Sequence, residues 1–357
     1  MNTKVKKFGI LCSGGDAPGL NAAIRSLCMT AILQYGMEAY GIFDGYRGLI
    51  EGNIKKLEIQ DVENLLSSGG TFLGTSRVKP FKNPEPDAVT GLLPVEAIKK
   101  NIEKWKLDAL VCLGGNGTNS TASLLSKEGI NVIGLPKTID NDIEGTEVTF
   151  GFHTAIDVAC DSMERIRTTA CSHSRIMVVE VMGHKAGWLG LYSAVGSGAD
   201  VVLLPEIPYD INKVAEKIKS SGKKYSMVVV AEGAKNLEES RMDKKAFKKA
   251  RALMSTSVGG RVAKELEELT GIESRVTVLG YLQRGGIPSP YDRILATMFG
   301  SEAAHFLSEG KFGKLVAMRN GKICGIGLSE VEGKVKKVPI LHPLVQSAKE
   351  MGMYFGD

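Results

Sequence analysis

The sequence predicts an α/β fold of two lobes, each a mainly parallel sheet sandwiched by helices. Strand-like and helix-like runs alternate over nearly the whole length. Most of the strand-like runs are continuous Val/Ile/Leu stretches, which suits parallel strands covered on both faces. With 357 residues the chain exceeds what one ordinary core needs, so two lobes are expected.

Taken in order, the first strand is expected over 8–12, ending in Ser13-Gly14-Gly15-Asp16-Ala17-Pro18-Gly19, a glycine-rich turn before a helix beginning around Pro18. Residues 80–86 are Pro-rich and read as a surface loop, with a helix restarting at Pro94 because proline suits the first helical position. A strand over 109–113 leads into Gly114-Gly115-Asn116-Gly117-Thr118 and a helix beginning near Thr118. The apolar run 132–135 opens onto Pro136-Lys137-Thr138-Ile139-Asp140-Asn141-Asp142. Strands over 176–181, 201–204, 227–231 and 276–279 follow. Between them, Ile211, Val214 and Ile218 recur at helical spacing, with Asp210 placed to cap the start and Gly222 the end. The Lys-rich run 244–249 reads as a solvated helix face, and Trp188 and the methionines as core. No internal repeat or low-complexity tract interrupts this order.

The formal charge of +5 is small for this length, and no basic run is interleaved with aromatics. Nucleic-acid binding is therefore not expected, whereas anionic metabolites suit the balance. No apolar run approaches the ~20 residues that span a bilayer, and residues 1–7 lead into a strand-like segment without a signal core. The six cysteines form no CxxC pair and read as buried thiols of a cytoplasmic protein, without disulfides.

Small and polar residues gather at the exits of five expected strands, after 8–12, 109–113, 132–135, 176–181 and 227–231. In open α/β sheets that edge is where ligands bind, which argues for one composite site in a crevice. The glycines of the first two exits let backbone N–H groups approach phosphate oxygens at helix N-termini. Neither exit is a GxxxxGK[ST] or a GxGxxG, and each alone also reads as a tight turn. Asp140 is placed to take a proton from a sugar hydroxyl as its oxygen attacks phosphorus, and Asp142 to face a metal ion. An Asx-rich turn is the plain alternative. Arg77, Arg175, Arg275 and Arg284, each in a glycine-rich turn or beside a strand, are candidates to supply charge for a transferring phosphoryl group, with a solvated surface residue the plain alternative for each.

The stretches SGGDAPGLNAAIR, GGTFLGTSR, GGNGT, PKTIDND, SHSRI, EVMGHKAGW, AEG and VLGYLQRGGIPSPYDRIL stand in an order that resembles the 6-phosphofructokinases over essentially the full length. The PKTIDND form resembles the branch mixing ATP- and pyrophosphate-dependent enzymes. The resemblance implies the phosphofructokinase fold: a large donor-binding lobe of residues 1–151 plus about 283–333, and a smaller sugar-phosphate lobe of 152–282 plus about 334–357. It implies phosphoryl transfer from ATP to the 1-hydroxyl of fructose 6-phosphate. Asp140 matches the base, with Thr138 beside it and Gly15 and Arg77 at the transferring group. Thr138, Ile139, Asp140, Arg175, Met182, Gly183, His184, Glu232, Arg275, Tyr281 and Arg284 match sugar-phosphate positions. Gly15, Arg77, Val78, Gly115, Asn116, Gly117 and Thr118 match donor positions, and Asn116 and Asp142 those near Mg²⁺. Arg175 and Arg275 reach in from a neighbouring subunit in the family, implying a homo-oligomer, dimer or tetramer, with shared sites.

Three positions depart from the family. Asn116 replaces a magnesium-associated acid, His184 an arginine near the transferring phosphate, and Tyr281 a histidine at the sugar phosphate. Gly117 leaves room for a nucleotide where many pyrophosphate users carry aspartate, while Lys137 is a residue that pyrophosphate users share. Together they favour ATP over pyrophosphate. Arg25, Arg167 and Lys223 match effector-binding positions of bacterial allosteric enzymes, but Met29, Ile59 and Ser221 replace others, which argues against ADP activation. A pyrophosphate-dependent enzyme and a catalytically weak sugar-phosphate or nucleotide sensor are the alternatives.

Overall fold

The computed structural model describes residues 5–82 and 85–357. Eleven strands can be followed along the described chain: β1 Lys7–Ser13, β2 Glu38–Ile42, β3 Ile54–Leu57, β4 Ala109–Gly114, β5 Val132–Pro136, β6 Ile176–Val181, β7 Val201–Leu203, β8 Ser226–Ala231, β9 Ser274–Val278, β10 Lys314–Arg319 and β11 Lys322–Gly327. They form a 7-stranded sheet in the order β11-β10-β5-β4-β1-β2-β3 and a 4-stranded sheet in the order β7-β8-β6-β9. The interior pairs of the larger sheet are parallel, and only its two edge pairs, β10 with β11 and β2 with β3, are antiparallel. In the smaller sheet every pair is parallel.

The packing divides into two compact units. The first holds the chain up to Ile139, Ile143–Thr154 and Arg284–Val335; the second holds Asp140–Asp142, Ala155–Gln283 and Lys336–Asp357. In the first, Leu11, Leu110 and Cys112 face a core closed by Ile98 and Leu125 from helices, while Phe8 and Ile10 are buried on the opposite face of β1. Burial on both faces is why these strands read as continuous apolar runs. In the second, Val178, Val228 and Val230 pack with Val214, Ile218, Val262 and Leu266 from the helices Ile211–Ser220 and Val258–Thr270. The last residues of the chain belong to this unit: Val202 N donates to Tyr354 O at 2.9 Å, which covers the outer edge of β7.

Several expectations are corrected. The first helix runs Leu20–Tyr35, not from Pro18, because Gly19 takes a left-handed φ of 97° that ends the turn there. The helix after β4 runs Asn116–Lys127, so Gly117 is inside its first turn. Of the loop 80–86, residues 83–84 lie outside the described residues; Pro80 is buried and Phe81 packs on the core, so that part is not surface. Cys171 is exposed and Cys160 and Cys324 are half-buried, leaving Cys12, Cys28 and Cys112 as the buried thiols. Met242, Met298 and Met351 are exposed, unlike Trp188, which is buried. The cap at Asp210 and the helix from Pro94 stand as expected, whereas the end cap is Ser221, with Gly222 one residue beyond in left-handed backbone at φ 65°. The helix Lys244–Ala252 buries no residue, as a solvated lysine face should. No helix among the described residues is long and apolar enough to cross a membrane.

Candidate active site

In the first unit the exits of β1 and β4 are built against each other. Gly14 leaves β1 at φ 87°, a conformation glycine adopts without strain. Its N–H donates to Ser76 O at 2.9 Å, and its carbonyl accepts from Thr75 Oγ1 at 2.7 Å. This holds the turn carrying the exposed Arg77 beside the β1 exit. Thr118 Oγ1 donates to Ser13 O at 3.0 Å, tying the first turn of Asn116–Lys127 to the same place.

Two cations converge on this turn. The Arg284 guanidinium donates to Asp16 O at 3.0 Å, and a Cβ on Gly15 would fall 2.5 Å from Arg284 Nη1. The Lys137 ammonium, 3% exposed, donates to the Gly15 carbonyl. The helix Asn116–Lys127 starts on Gly115 with no side-chain cap and no acidic residue in its first turn. Gly117 is exposed there, and a Cβ on it would meet nothing within 4 Å. A helix N-terminus left open beside Lys137 and Arg284 has the electrostatics of an anion site. Val78 packs on the core, Thr138 is 7% exposed with its carbonyl accepting from Thr149 Oγ1 at 2.7 Å, and Ile139 is fully buried.

In the second unit a cavity of about 200 Å³ is lined by Glu180, Val181, Met182, Glu232, Val278, Gly280 and Tyr281. It therefore gathers three of the expected sugar-phosphate residues at the exits of β6, β8 and β9. The backbone fixes them: Met182 N donates to Gln283 Oε1 at 2.9 Å, His184 N to Glu232 Oε1 at 2.7 Å, and Glu232 N to Val181 O at 2.9 Å. His184 itself is exposed and left-handed at φ 50°. Gln283, fully buried, was not singled out from the sequence; its only signal there is an amide between Leu282 and Arg284 in a glycine-bounded turn.

Arg175 and Arg275 do not join this group. Arg175 precedes β6 and Arg275 lies at the start of β9, so both stand at the sheet edge opposite the exits. Seven positions separate Arg175 from Met182 and five separate Arg275 from Gly280, at roughly 3.3 Å per residue of strand. There they share one carboxylate: Arg175 Nε meets Glu273 Oε2 at 2.7 Å, and the Arg275 guanidinium pairs with Glu273 as well.

Asp140, Asn141 and Asp142 also pack with the second unit. Asn141 is left-handed at φ 49°, so the chain turns sharply between the two carboxylates. Lys336 Nζ donates to Asn141 Oδ1 at 3.1 Å, and Lys336 N to Asp142 O at 2.8 Å. Nearby, Glu206 Oε1 accepts from Gly187 N and Val338 N at 3.0 Å each. Burial pushes the Glu206 carboxyl above its ordinary value, against the pull of those two bonds.

The chain matches the family described as Phosphofructokinase over residues 7–307. It is similar to the ATP-dependent 6-phosphofructokinase of Spirochaeta thermophila, 55% identical over 99% of this chain and 98% of that protein. The ATP-dependent 6-phosphofructokinase of Propionibacterium freudenreichii is 47% identical over 98% of this chain and 99% of its own length. Among solved structures, Pichia pastoris phosphofructokinase in the T-state is similar with a TM-score of 0.79 and 34% identity, covering 92% of this chain and 35% of that one.

Proposed function

The chain belongs to the phosphofructokinase family, and from that premise we infer that it catalyses the ATP-dependent 6-phosphofructokinase reaction of glycolysis, making fructose 1,6-bisphosphate from fructose 6-phosphate. The observation that carries the donor is the open, acid-free first turn of Asn116–Lys127, where Gly117 leaves space for a nucleotide phosphate. Lys137, buried against the Gly15 turn, supports the further reading that the chain resembles the branch mixing ATP and pyrophosphate users.

In this reading the first unit binds ATP through Gly15, Arg77, Val78, Gly115, Gly117 and Thr118. The second binds fructose 6-phosphate through Met182, Gly183, His184, Glu232 and Tyr281, with Thr138, Ile139 and Arg284 completing the contacts. Asp140 accepts the proton of the sugar 1-hydroxyl as that oxygen bonds to the γ-phosphorus and the bond to the β,γ-bridging oxygen breaks, releasing ADP. General-base assistance of this kind contributes on the order of 10²–10⁴-fold. Arg77 and the backbone N–H groups of the Gly15 turn offset charge on the equatorial oxygens.

The donor set suits magnesium. Asp142 offers one carboxylate and Asn116 one amide oxygen, both hard ligands, and most of the ion's coordination is ordinarily left to substrate phosphates and water. When bound, the ion neutralises phosphate charge. The placement of Arg175 and Arg275 away from the second unit's cavity supports a homo-oligomer in which each serves a neighbour's site. A cytoplasmic location is part of the same reading.

A coupled assay offering fructose 6-phosphate with either ATP or pyrophosphate tests it. Turnover with ATP is the expected result, and activity with pyrophosphate alone overturns the donor.

A further inference from the structure

We propose that Lys336 is a positioning residue for this reaction, holding the Asp140–Asp142 turn in the shape that presents Asp140 to the sugar hydroxyl. The inference rests on the reading of Asp140 as the base.

Asn141 occupies left-handed backbone at φ 49°, which costs asparagine less than most non-glycine residues but still leaves its surroundings to settle the turn. Lys336 provides that determination twice. Its ammonium donates to Asn141 Oδ1 at 3.1 Å, fixing the side chain of the left-handed residue. Its backbone N–H donates to Asp142 O at 2.8 Å, fixing the chain one residue on. The ammonium also brings positive charge to a turn that places two carboxylates two residues apart.

Lys336 is in turn anchored. Its carbonyl accepts from Trp188 Nε1 at 3.0 Å, and its Nζ lies 5.3 Å from the centroid of the Trp188 ring, within cation–π range. His342 stands edge-on to the same ring at 5.1 Å and 86°. Two residues beyond Lys336, Val338 N shares Glu206 Oε1 with Gly187 N, the residue just before Trp188. Gly187, Trp188 and the Asp140–Asp142 turn are thus referred to one fixed point, and every residue of the clamp belongs to the second unit. In sequence, Lys336 looks no different from Lys334 and Lys337 beside it; the distinction is wholly tertiary.

Lys336→Met and Lys336→Arg in the full chain test this. With ATP and fructose 6-phosphate, Lys336→Met is expected to lower kcat about tenfold or more, the loss of a charged hydrogen bond, with KM for ATP unchanged. Lys336→Arg should restore most of kcat. Amide hydrogen exchange over residues 138–144 should be about tenfold faster in Lys336→Met and near wild type in Lys336→Arg. A kcat within twofold of wild type, or unchanged exchange, overturns the proposal. Should Lys336→Met fail to fold, Trp188→Phe removes the donor to the Lys336 carbonyl and must speed the same exchange, and unchanged exchange there overturns the clamp equally. Exchange that depends on Lys336 in a protein without turnover refutes the functional reading and leaves the clamp standing.

Discussion

Gly117→Asp separates the charge of the donor site from its fold. Gly117 is exposed in the first turn of Asn116–Lys127, its φ is not left-handed, and a Cβ there meets nothing within 4 Å. The folded chain should therefore accept the side chain without strain. Aspartate exceeds glycine in helix propensity by a few tenths of a kcal/mol, and a carboxylate in an N-terminal turn adds about 0.3–1 kcal/mol. The unfolding midpoint should hold or rise slightly. Against ATP the same carboxylate is repulsive. At about 5 Å from a phosphate held by that turn, and an effective dielectric of about 20, the repulsion is roughly 3 kcal/mol. At about 1.4 kcal/mol per decade this predicts a loss in kcat/KM for ATP on the order of a hundredfold. KM for fructose 6-phosphate should not change, and any activity with pyrophosphate should suffer less. A coupled assay with ATP varied, beside a thermal melt, measures both sides. A folded Gly117→Asp protein whose kcat/KM for ATP stays within threefold of wild type would refute the reasoning.

Three further outcomes are expected. Asp140→Asn should lose on the order of 10²–10⁴ in kcat while still binding fructose 6-phosphate by calorimetry; undiminished turnover removes Asp140 from the base role. Mixing inactive Asp140→Asn with inactive Arg175→Ala subunits should regain activity if Arg175 serves a neighbouring site, and a mixture as dead as its parts argues for self-contained subunits. Glu239, 4% exposed, accepts from Arg261 at 2.8 and 2.9 Å and from Arg251 at 3.0 Å. Burial pushes its carboxyl up, but the bonds and charge of Arg261 and Arg251 outweigh this and hold it below the usual 4.5. Since the folded value lies below the unfolded one, this stabilisation is fully present above about pH 4.5 and lost as pH falls through the folded value. Glu239→Gln should cost roughly 3–5 kcal/mol at neutral pH and flatten the acid limb, read from urea midpoints across pH.

What could be read in the sequence tracks how local its cause is. Strands β1, β4, β5, β6 and β8 were legible because burial on both faces leaves an unbroken apolar run. Strand β2, with Glu38 and Gly41, and the four-residue β3 carry no such run. The hairpin of β10 and β11 did leave a signal in Asn320-Gly321, whose φ values of 51° and 69° make the tight turn that pair favours. The helix at Asn116 begins earlier than Gly117 suggests, since extended backbone at Gly115 decides the start over propensity. The chemistry-bearing turns were legible as clusters of small and polar residues. The supports behind them were not: Lys336 acts on Asn141 across 195 positions, and Gln283 on Met182 across 101.

The pairing of Val202 with Tyr354, and of Asp210 with Gly356, has a consequence for biogenesis. While the polypeptide is being made, the flank of β7 stays bare until residue 356 has cleared the ribosome, long after the rest of its sheet has been translated. An unpaired, wholly apolar Val-Val-Leu strand is a template for association with other nascent chains. Substituting prolines at Tyr354 and Gly356, or masking residues 354–356, should accordingly reduce soluble yield more than it alters the finished catalyst.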